Sequence, residues 1–153
     1  MKPLPALNEP LPRPDRPLGV SILTIWDGAM AGLLPAFQAV FMVLRGTTDP
    51  NDISLLTLCL AVGLPIAIVT AAIGTFSGSD RSRLSLLVLV TLYYGLNAFR
   101  DASLIAAGAV SGNALFGAYF GILSAVFWAA VNIWYFLRPR TIAFYRRPIR
   151  SWL

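Results

Sequence analysis

Residues 84–108 read LSLLVLVTLYYGLNAFRDASLIAAG, an apolar run that is broken by one charged pair, Arg100 and Asp101. A helix needs roughly 20 apolar residues to cross the hydrocarbon core of a bilayer, and this run is long enough. Three further runs of comparable length occupy residues 18–44, 53–77 and 114–137. The sequence therefore predicts four transmembrane helices.

The composition agrees with a membrane environment. The 153 residues are 57% hydrophobic and only 12% charged, whereas a soluble domain is typically about 25% charged. The loops between the runs are short, which makes consecutive helices antiparallel neighbours. We predict an all-α fold, an up-down-up-down bundle of four transmembrane helices over residues 18–137. We expect a flexible proline-rich tail over residues 1–17 and a basic interfacial tail over residues 138–153. Asp80 or Ser82 is expected to cap the third helix.

Basic residues are distributed unequally between the two sides of the predicted bundle. With the N-terminus in the cytoplasm, ten of the twelve Lys and Arg residues lie on the cytoplasmic side and Arg45 alone lies on the other. Cytoplasmic loops of membrane proteins carry such an excess of positive charge. We expect a multi-pass protein of the bacterial inner (plasma) membrane with both termini in the cytoplasm. The alternative is a signal peptide cleaved near Ala29-Met30-Ala31, but Asp27 interrupts its apolar core.

The residue types that are missing limit the chemistry. The chain has no histidine, and Cys59 is its only cysteine. These absences remove the common ligands of zinc, copper and haem and the most frequent general base. We therefore expect no cofactor, no metal site and no enzymatic activity. The net charge of +5 does not indicate a nucleic-acid partner, because the basic residues flank apolar helices and do not line one face of a soluble domain.

Ionisable groups inside a membrane are costly, and a functional role is the default hypothesis for them. Here they are Asp27, Arg100 and Asp101. A rise of about 1.5 Å per residue sorts the polar residues of the predicted helices into two layers. The outer layer holds Gln38, Thr57, Arg100, Asp101 and Tyr119, and the inner layer holds Asp27, Thr70 and Asn132, with Asn97 between the two.

Each charged residue of these layers has two interpretations. Arg100 and Asp101 are adjacent, so their side chains project about 100° apart on a helix. We expect each to need a partner from another helix or subunit, with Gln38 and Tyr119 as the candidates for Arg100. The alternative is that Arg100 extends to the outer headgroups and Asp101 accompanies it. Asp27 is either an interfacial residue or a buried carboxylate that carries a proton or binds a cation.

Small residues recur at a spacing of four in every predicted helix. The glycines of these rows are Gly28, Gly32, Gly63, Gly117 and Gly121. Small residues let helix backbones approach closely, which favours helix association in lipid. We expect these glycines to pack the helices of the bundle, and one row could serve a partner subunit. Pro35 and Pro65 are expected to kink the first two helices.

The C-terminal tail mixes apolar residues with arginines. It follows Trp134 and Tyr135, which are typical of an interfacial anchor. We expect an amphipathic segment that lies on the anionic lipids of the cytoplasmic leaflet, each basic residue adding roughly 1 kcal/mol. A peptide that docks on a partner protein is the alternative. The predicted membrane-surface arginines are Arg138, Arg140, Arg146, Arg147 and Arg150.

The sequences at the two ends of the predicted bundle resemble segments of known membrane proteins. Residues 16–23 (RPLGVSIL) and 134–140 (WYFLRPR) resemble segments that recur in small, uncharacterised bacterial four-helix membrane proteins. That resemblance implies the fold and no particular activity.

Two functional hypotheses follow. The first is a non-enzymatic accessory, assembly or structural subunit of a membrane complex, formed with a larger partner or by self-association. The second is a proton- or cation-coupled small-molecule transporter that acts as an oligomer, with Asp27 as the coupling carboxylate. In size and in the acidic residue of its first helix the chain is similar to the small multidrug resistance exporters, which are shorter and use a glutamate there.

Overall fold

The computed structural model describes residues 16–45 and 59–145, and every regular element in these two ranges is a helix. The predicted all-α fold is thus confirmed for these residues. Residues 1–15 of the predicted tail and the loop residues 46–58 lie outside them. Helix α1 comprises Leu18–Asp27, Gly28–Leu33 and Leu34–Leu44, helix α2 comprises Cys59–Gly63 and Leu64–Phe76, and helices α3, α4 and α5 are Asp80–Ala106, Gly112–Phe136 and Pro139–Tyr145.

Three of these helices are long and apolar enough to cross a membrane. They are Leu18–Met42, Asp80–Ala106 and Gly112–Phe136. Helix α2 contributes a shorter apolar segment, Leu60–Phe76, and the start of the second predicted crossing, residues 53–58, lies outside the described ranges. The structure is therefore compatible with a membrane protein of several crossings, and the fourth crossing stays a prediction.

Both proline-containing helices change their hydrogen-bond pattern just before the proline. A π-helical segment covers Gly28–Leu33 before Pro35, and another covers Cys59–Gly63 before Pro65. Proline has no N–H, and its ring clashes with the carbonyl four residues earlier. A wider π-turn makes room for the ring, so the helix continues through the proline. The expected distortion at the two prolines thus takes the form of a π-turn.

The turns that end α2 and α3 have the same geometry. Gly78 and Gly108 adopt positive φ angles of 90° and 63°, and the N–H of the next residue donates to the carbonyl five residues earlier. This is a Schellman motif, which favours glycine because a Cβ would be strained at positive φ. Ser79 follows the first turn and caps α3, its Oγ accepting from the N–H of Ser82 at 3.3 Å. The predicted cap at Asp80 or Ser82 is therefore wrong, because the helix begins immediately after the turn.

Helices α1 and α2 approach each other closely at two glycines. A Cβ added to Gly32 would lie 2.7 Å from Cγ2 of Val69, and one added to Gly28 would lie 3.4 Å from Cβ of Ala72. Rising residue numbers on α1 thus meet falling numbers on α2, so the two helices are antiparallel. A side chain at Gly32 would therefore overlap Val69, whereas a Cβ at Gly28 would make an ordinary contact.

The apolar side chains fall into two groups. Ile68, Leu86 and Val90 are fully buried between the helices. Others remain open to the surroundings, with Phe116 75% and Leu123 69% exposed. Exposed apolar surface of this kind is unfavourable in water, but in a bilayer it faces acyl chains. The distribution fits a membrane environment.

Most of the arginines lie at one end of the helices. This basic end is where α1 and α3 begin and where α2 and α4 end. The opposite end, called the far end, carries Arg45 next to the last residue of α1. The described arginines of the basic end are Arg16, Arg81, Arg83, Arg138 and Arg140.

The short helix α5 packs against the basic end. The hydroxyl of Tyr145 donates to the carbonyl of Thr75 at 3.1 Å. The guanidinium of Arg83 lies 5.6 Å from the centre of the Tyr145 ring, donates to the carbonyl of Phe136 and pairs with Asp80 at 2.7 Å. Arg83 therefore links α3, α4 and α5.

Candidate functional site

Buried polar residues in the half of the bundle near the basic end surround Asp27. Thr24 and Asp27 lie on α1, Tyr94 on α3 and Asn132 on α4, and these four residues are called the Asp27 cluster. Thr24, Asp27 and Asn132 are 2%, 0% and 0% exposed. Nδ2 of Asn132 donates to Oδ1 of Asp27 at 3.2 Å and to the carbonyl of Trp128 at 3.0 Å. The structure thus brings together two residues of the predicted inner layer, and it places Asp27 in the interior.

Three oxygen atoms of the Asp27 cluster have no hydrogen-bond partner among the described residues. They are Oγ1 of Thr24, Oδ2 of Asp27 and Oδ1 of Asn132. Buried polar atoms are nearly always paired, and an unpaired one costs about 1–3 kcal/mol. A carboxylate and an amide oxygen can only accept hydrogen bonds. The cluster therefore has more acceptors than donors, which suits it to receive a proton or a cation.

Aromatic rings close the Asp27 cluster on two sides. The indoles of Trp26 and Trp128 stack with their centroids 5.1 Å apart, joining α1 to α4 beside Asp27 and Asn132. Tyr94 is buried, and its hydroxyl lies near the Asp27 carboxyl and the Trp26 indole. The aromatic rings therefore lie next to a carboxyl group that is fully buried.

Arg100 and Asp101, the charged residues of the predicted outer layer, pair with each other within α3. Nε and Nη2 of Arg100 both donate to Oδ1 of Asp101, at 3.0 and 2.8 Å. The expectation that each residue needs a partner from another helix is wrong, because the long arginine side chain curls round to its neighbour although the two Cβ directions diverge. Asp101 is buried against α4, where a Cβ at Gly121 would overlap its Oδ2. The Arg100 side chain is 66% exposed, as in the alternative of an arginine that extends outward.

The other predicted polar residues do not join these two groups. Gln38 and Tyr119 are exposed, and they are not the partners of Arg100. Asn97 is half-buried and donates to the carbonyl one turn earlier at 2.9 Å. Thr70 is exposed and makes the same kind of bond at 2.9 Å, so it does not join the Asp27 cluster. Thr57 lies outside the described residues.

The predicted packing glycines fall into two groups. Gly28 and Gly32 lie between α1 and α2, and Gly121 lies against α3. A Cβ added to Gly63 or Gly117 would meet no atom of the described chain within 4 Å. Within the described ranges, these two glycines are therefore exposed.

The predicted membrane-surface arginines are described in part. Arg138 and Arg140 are exposed at the basic end, and the guanidinium of Arg138 lies 4.3 Å from the centre of the Trp134 ring. This pairing is consistent with the predicted interfacial anchor. Arg146, Arg147 and Arg150 lie outside the described residues.

The C-terminal segment lies partly on protein. Tyr145 is buried against the basic end, so the expectation of a segment that rests on lipid is wrong for this residue. Burial raises the pKa of Tyr145 to about 12, although the charges of Arg16 and Arg83 oppose the rise. The phenol therefore keeps its proton at neutral pH and can donate it to the carbonyl of Thr75.

Sequence reasoning missed two members of the Asp27 cluster. Thr24 precedes Asp27 by three residues, a spacing that places both on one face of a helix, and this signal was available. Tyr94 lies ten residues into the predicted run 84–108, and Asp27 lies nine residues into the run 18–44. At about 1.5 Å per residue the two have nearly the same depth, so this signal was available as well.

The Asp27 cluster combines a carboxylate, an amide and two hydroxyls in the interior of membrane-length helices. Such a group can hold a proton or a small cation, or pass one between the two sides of a membrane. Comparison of the chain with protein-family models, with curated proteins and with solved structures finds no match.

Proposed function

We propose that this chain is a small multi-pass transporter that takes up a proton or a cation at Asp27 and couples this step to the movement of a small molecule. The observation that carries the proposal is the complete burial of Asp27 beside unpaired acceptor atoms. An ionised carboxylate in such surroundings is costly unless a proton or a cation neutralises it. A site of this kind binds and releases a positive charge, as ion coupling requires.

The other acidic residues of the described ranges have arginine partners. Asp80 pairs with Arg83 at 2.7 Å, and Asp101 pairs with Arg100 at 2.8 Å. Asp27 has no arginine among the described residues and accepts instead from the side-chain amide of Asn132. The described titratable group that faces Asp27 is Tyr94. The negative charge of Asp27 therefore has no fixed counter-ion in this part of the chain.

Proton flux into liposomes tests the proposal. The purified protein is reconstituted with a trapped pH-sensitive dye, and a potassium gradient with valinomycin drives proton entry. We expect Asp27→Asn to lower the rate to that of empty liposomes. Asp101→Asn is the control, because it removes an intramembrane carboxylate that is already paired, and it should keep the wild-type rate. Equal rates for wild type and Asp27→Asn would exclude proton coupling through this residue, and the same assay with a sodium gradient and a trapped sodium-sensitive dye tests a cation.

A second candidate function is a non-enzymatic accessory or assembly subunit of a membrane complex. It is favoured by polar and small residues that face outward on the membrane-length helices: Gln38 and Tyr119 are exposed, and Gly63 and Gly117 have free space around them in the described chain. Polar and small side chains of this kind are typical of contacts between transmembrane helices.

Photo-crosslinking tests the second candidate. A photoreactive phenylalanine replaces Tyr119, and the same group at Phe99, an apolar position of α3 that is 72% exposed, serves as the control. We expect a crosslinked protein partner of constant mass from position 119 only. Crosslinks to lipid alone from both positions would count against the subunit.

A further inference from the structure

We infer that the Asp27 cluster is a binding site for a monovalent cation of the sodium type. The inference rests on the proposed function and names the ion that the site would take. Its first support is the orientation of the Asn132 amide. Nδ2 donates to Oδ1 of Asp27 and to the carbonyl of Trp128, and rotating the amide would set its oxygen against two acceptors. Oδ1 of Asn132 therefore stays unpaired and available as a ligand.

The number of available oxygens favours a metal ion over a proton. Thr24, Asp27 and Asn132 each present one buried oxygen that lacks a partner among the described residues. A proton on Asp27 adds one donor, whereas Oδ2 of Asp27, Oδ1 of Asn132 and Oγ1 of Thr24 can each accept more than one bond. A cation contacts several oxygens at once, and oxygen ligands suit hard ions.

The backbone next to Asp27 supports the same ligand. Asp27 is the last residue before the π-helical segment Gly28–Leu33. π-turns of this kind are frequent at functional sites.

The charge of the site indicates the valence of the ion. Asp27 is the only acidic residue of the Asp27 cluster, and the two other carboxylates in the described ranges are neutralised by arginines. One monovalent cation would leave the buried site neutral. A divalent ion would leave a net positive charge in the interior, which is unfavourable.

Thermal stability of the purified full chain in detergent tests the inference. Unfolding is followed by tryptophan fluorescence, since Trp26 and Trp128 stack beside the cluster, in sodium chloride and in choline chloride at equal ionic strength. We expect sodium to raise Tm in a saturable way, by roughly 3–6 °C at a tenfold excess over Kd. Thr24→Val should abolish this shift.

Two comparisons make the result decisive. Thr24→Val removes a hydroxyl oxygen that has no partner among the described residues and keeps the shape of the side chain, so its Tm in choline should equal or exceed that of wild type. Thr70→Val is the matched control, because Thr70 is exposed on α2, and it should keep the sodium response. Equal Tm values in sodium and choline, or a sodium response retained by Thr24→Val, would overturn the inference. Proton flux that depends on Asp27 without any sodium effect would overturn the inference and leave the proposed function standing. A sodium effect without proton or sodium flux would support the binding site and overturn the proposed function.

Discussion

Arg83 has the largest fully buried side chain of the described residues. A buried guanidinium is costly unless its donors are satisfied. Here Asp80 accepts from Nε and Nη2, and the Phe136 carbonyl accepts from Nη1. The ring of Tyr145 covers the guanidinium plane and adds a cation–π contact. Arg83 therefore stabilises the basic end, whereas Arg81, two residues earlier in the same turn of α3, is exposed.

Replacing Arg83 and Arg81 one at a time distinguishes the contribution of a buried arginine to stability from that of an exposed one. Arg83→Ala leaves Asp80 and the carbonyl of Phe136 without their donor, and we expect a loss of about 3 kcal/mol, because removing one partner of a buried pair is strongly destabilising. Arg81→Ala should change the stability by no more than about 0.5 kcal/mol. Thermal unfolding in detergent measures both. A similar Tm for the two variants would show that Arg83 does not hold α5 and α4 in place.

The polar residues show how far single positions can be predicted. The meeting of Asp27 and Asn132 followed from helical rise alone, because both side chains are short and stay near their Cα depth. The pairing of Arg100 with Asp101 did not follow, since a long side chain reaches positions that its Cβ direction does not indicate. The sequence also gave no sign that Arg83 is buried, because a basic residue in a loop is first a topology signal.

The contact between α1 and α2 depends on Gly32. This residue lies in the π-helical segment before Pro35, and a Cβ there would already press on Val69. We expect Gly32→Leu to lower the stability by about 1–3 kcal/mol, because a large side chain at a close contact forces the helices apart. Gly117→Leu is the matched control on α4, where a Cβ would meet nothing within 4 Å in the described chain.

Thermal unfolding together with size-exclusion chromatography in detergent measures this pair of variants. Gly32→Leu should lower Tm, and Gly117→Leu should keep it. Equal Tm values for the two would argue against a packing role for Gly32. A change of oligomeric state with Gly117→Leu alone would identify the surface around Gly117 as a contact between chains.

The positions of the helices could be predicted better than their internal geometry. Apolar runs gave the existence and approximate limits of α1, α3 and α4, because the thickness of the hydrocarbon core imposes a length. The π-helical segments could not be read from the sequence. Proline predicts a local distortion, but whether the helix bends, breaks or widens depends on how the neighbouring helix packs against it.

At the scale of the whole molecule, the charges divide along the helix axes. The basic end carries the five described arginines that flank the helices there, and the far end carries Arg45. Of these five, Arg83 is buried and Arg138 and Arg140 are exposed. An exposed basic end next to anionic lipid headgroups is favourable on the cytoplasmic side of a membrane. The same asymmetry opposes insertion of the chain in both orientations.

Reporter fusions test this orientation. With the basic end in the cytoplasm, green fluorescent protein fused after Leu153 should fluoresce, and alkaline phosphatase fused at the same position should be inactive, because the phosphatase needs an oxidising compartment to form its disulfides. Alkaline phosphatase inserted at Ser111, between α3 and α4 at the far end, is the matched control and should be active. Active phosphatase at the C-terminus would invert the arrangement, placing the arginine-rich end outside and Arg45 in the cytoplasm.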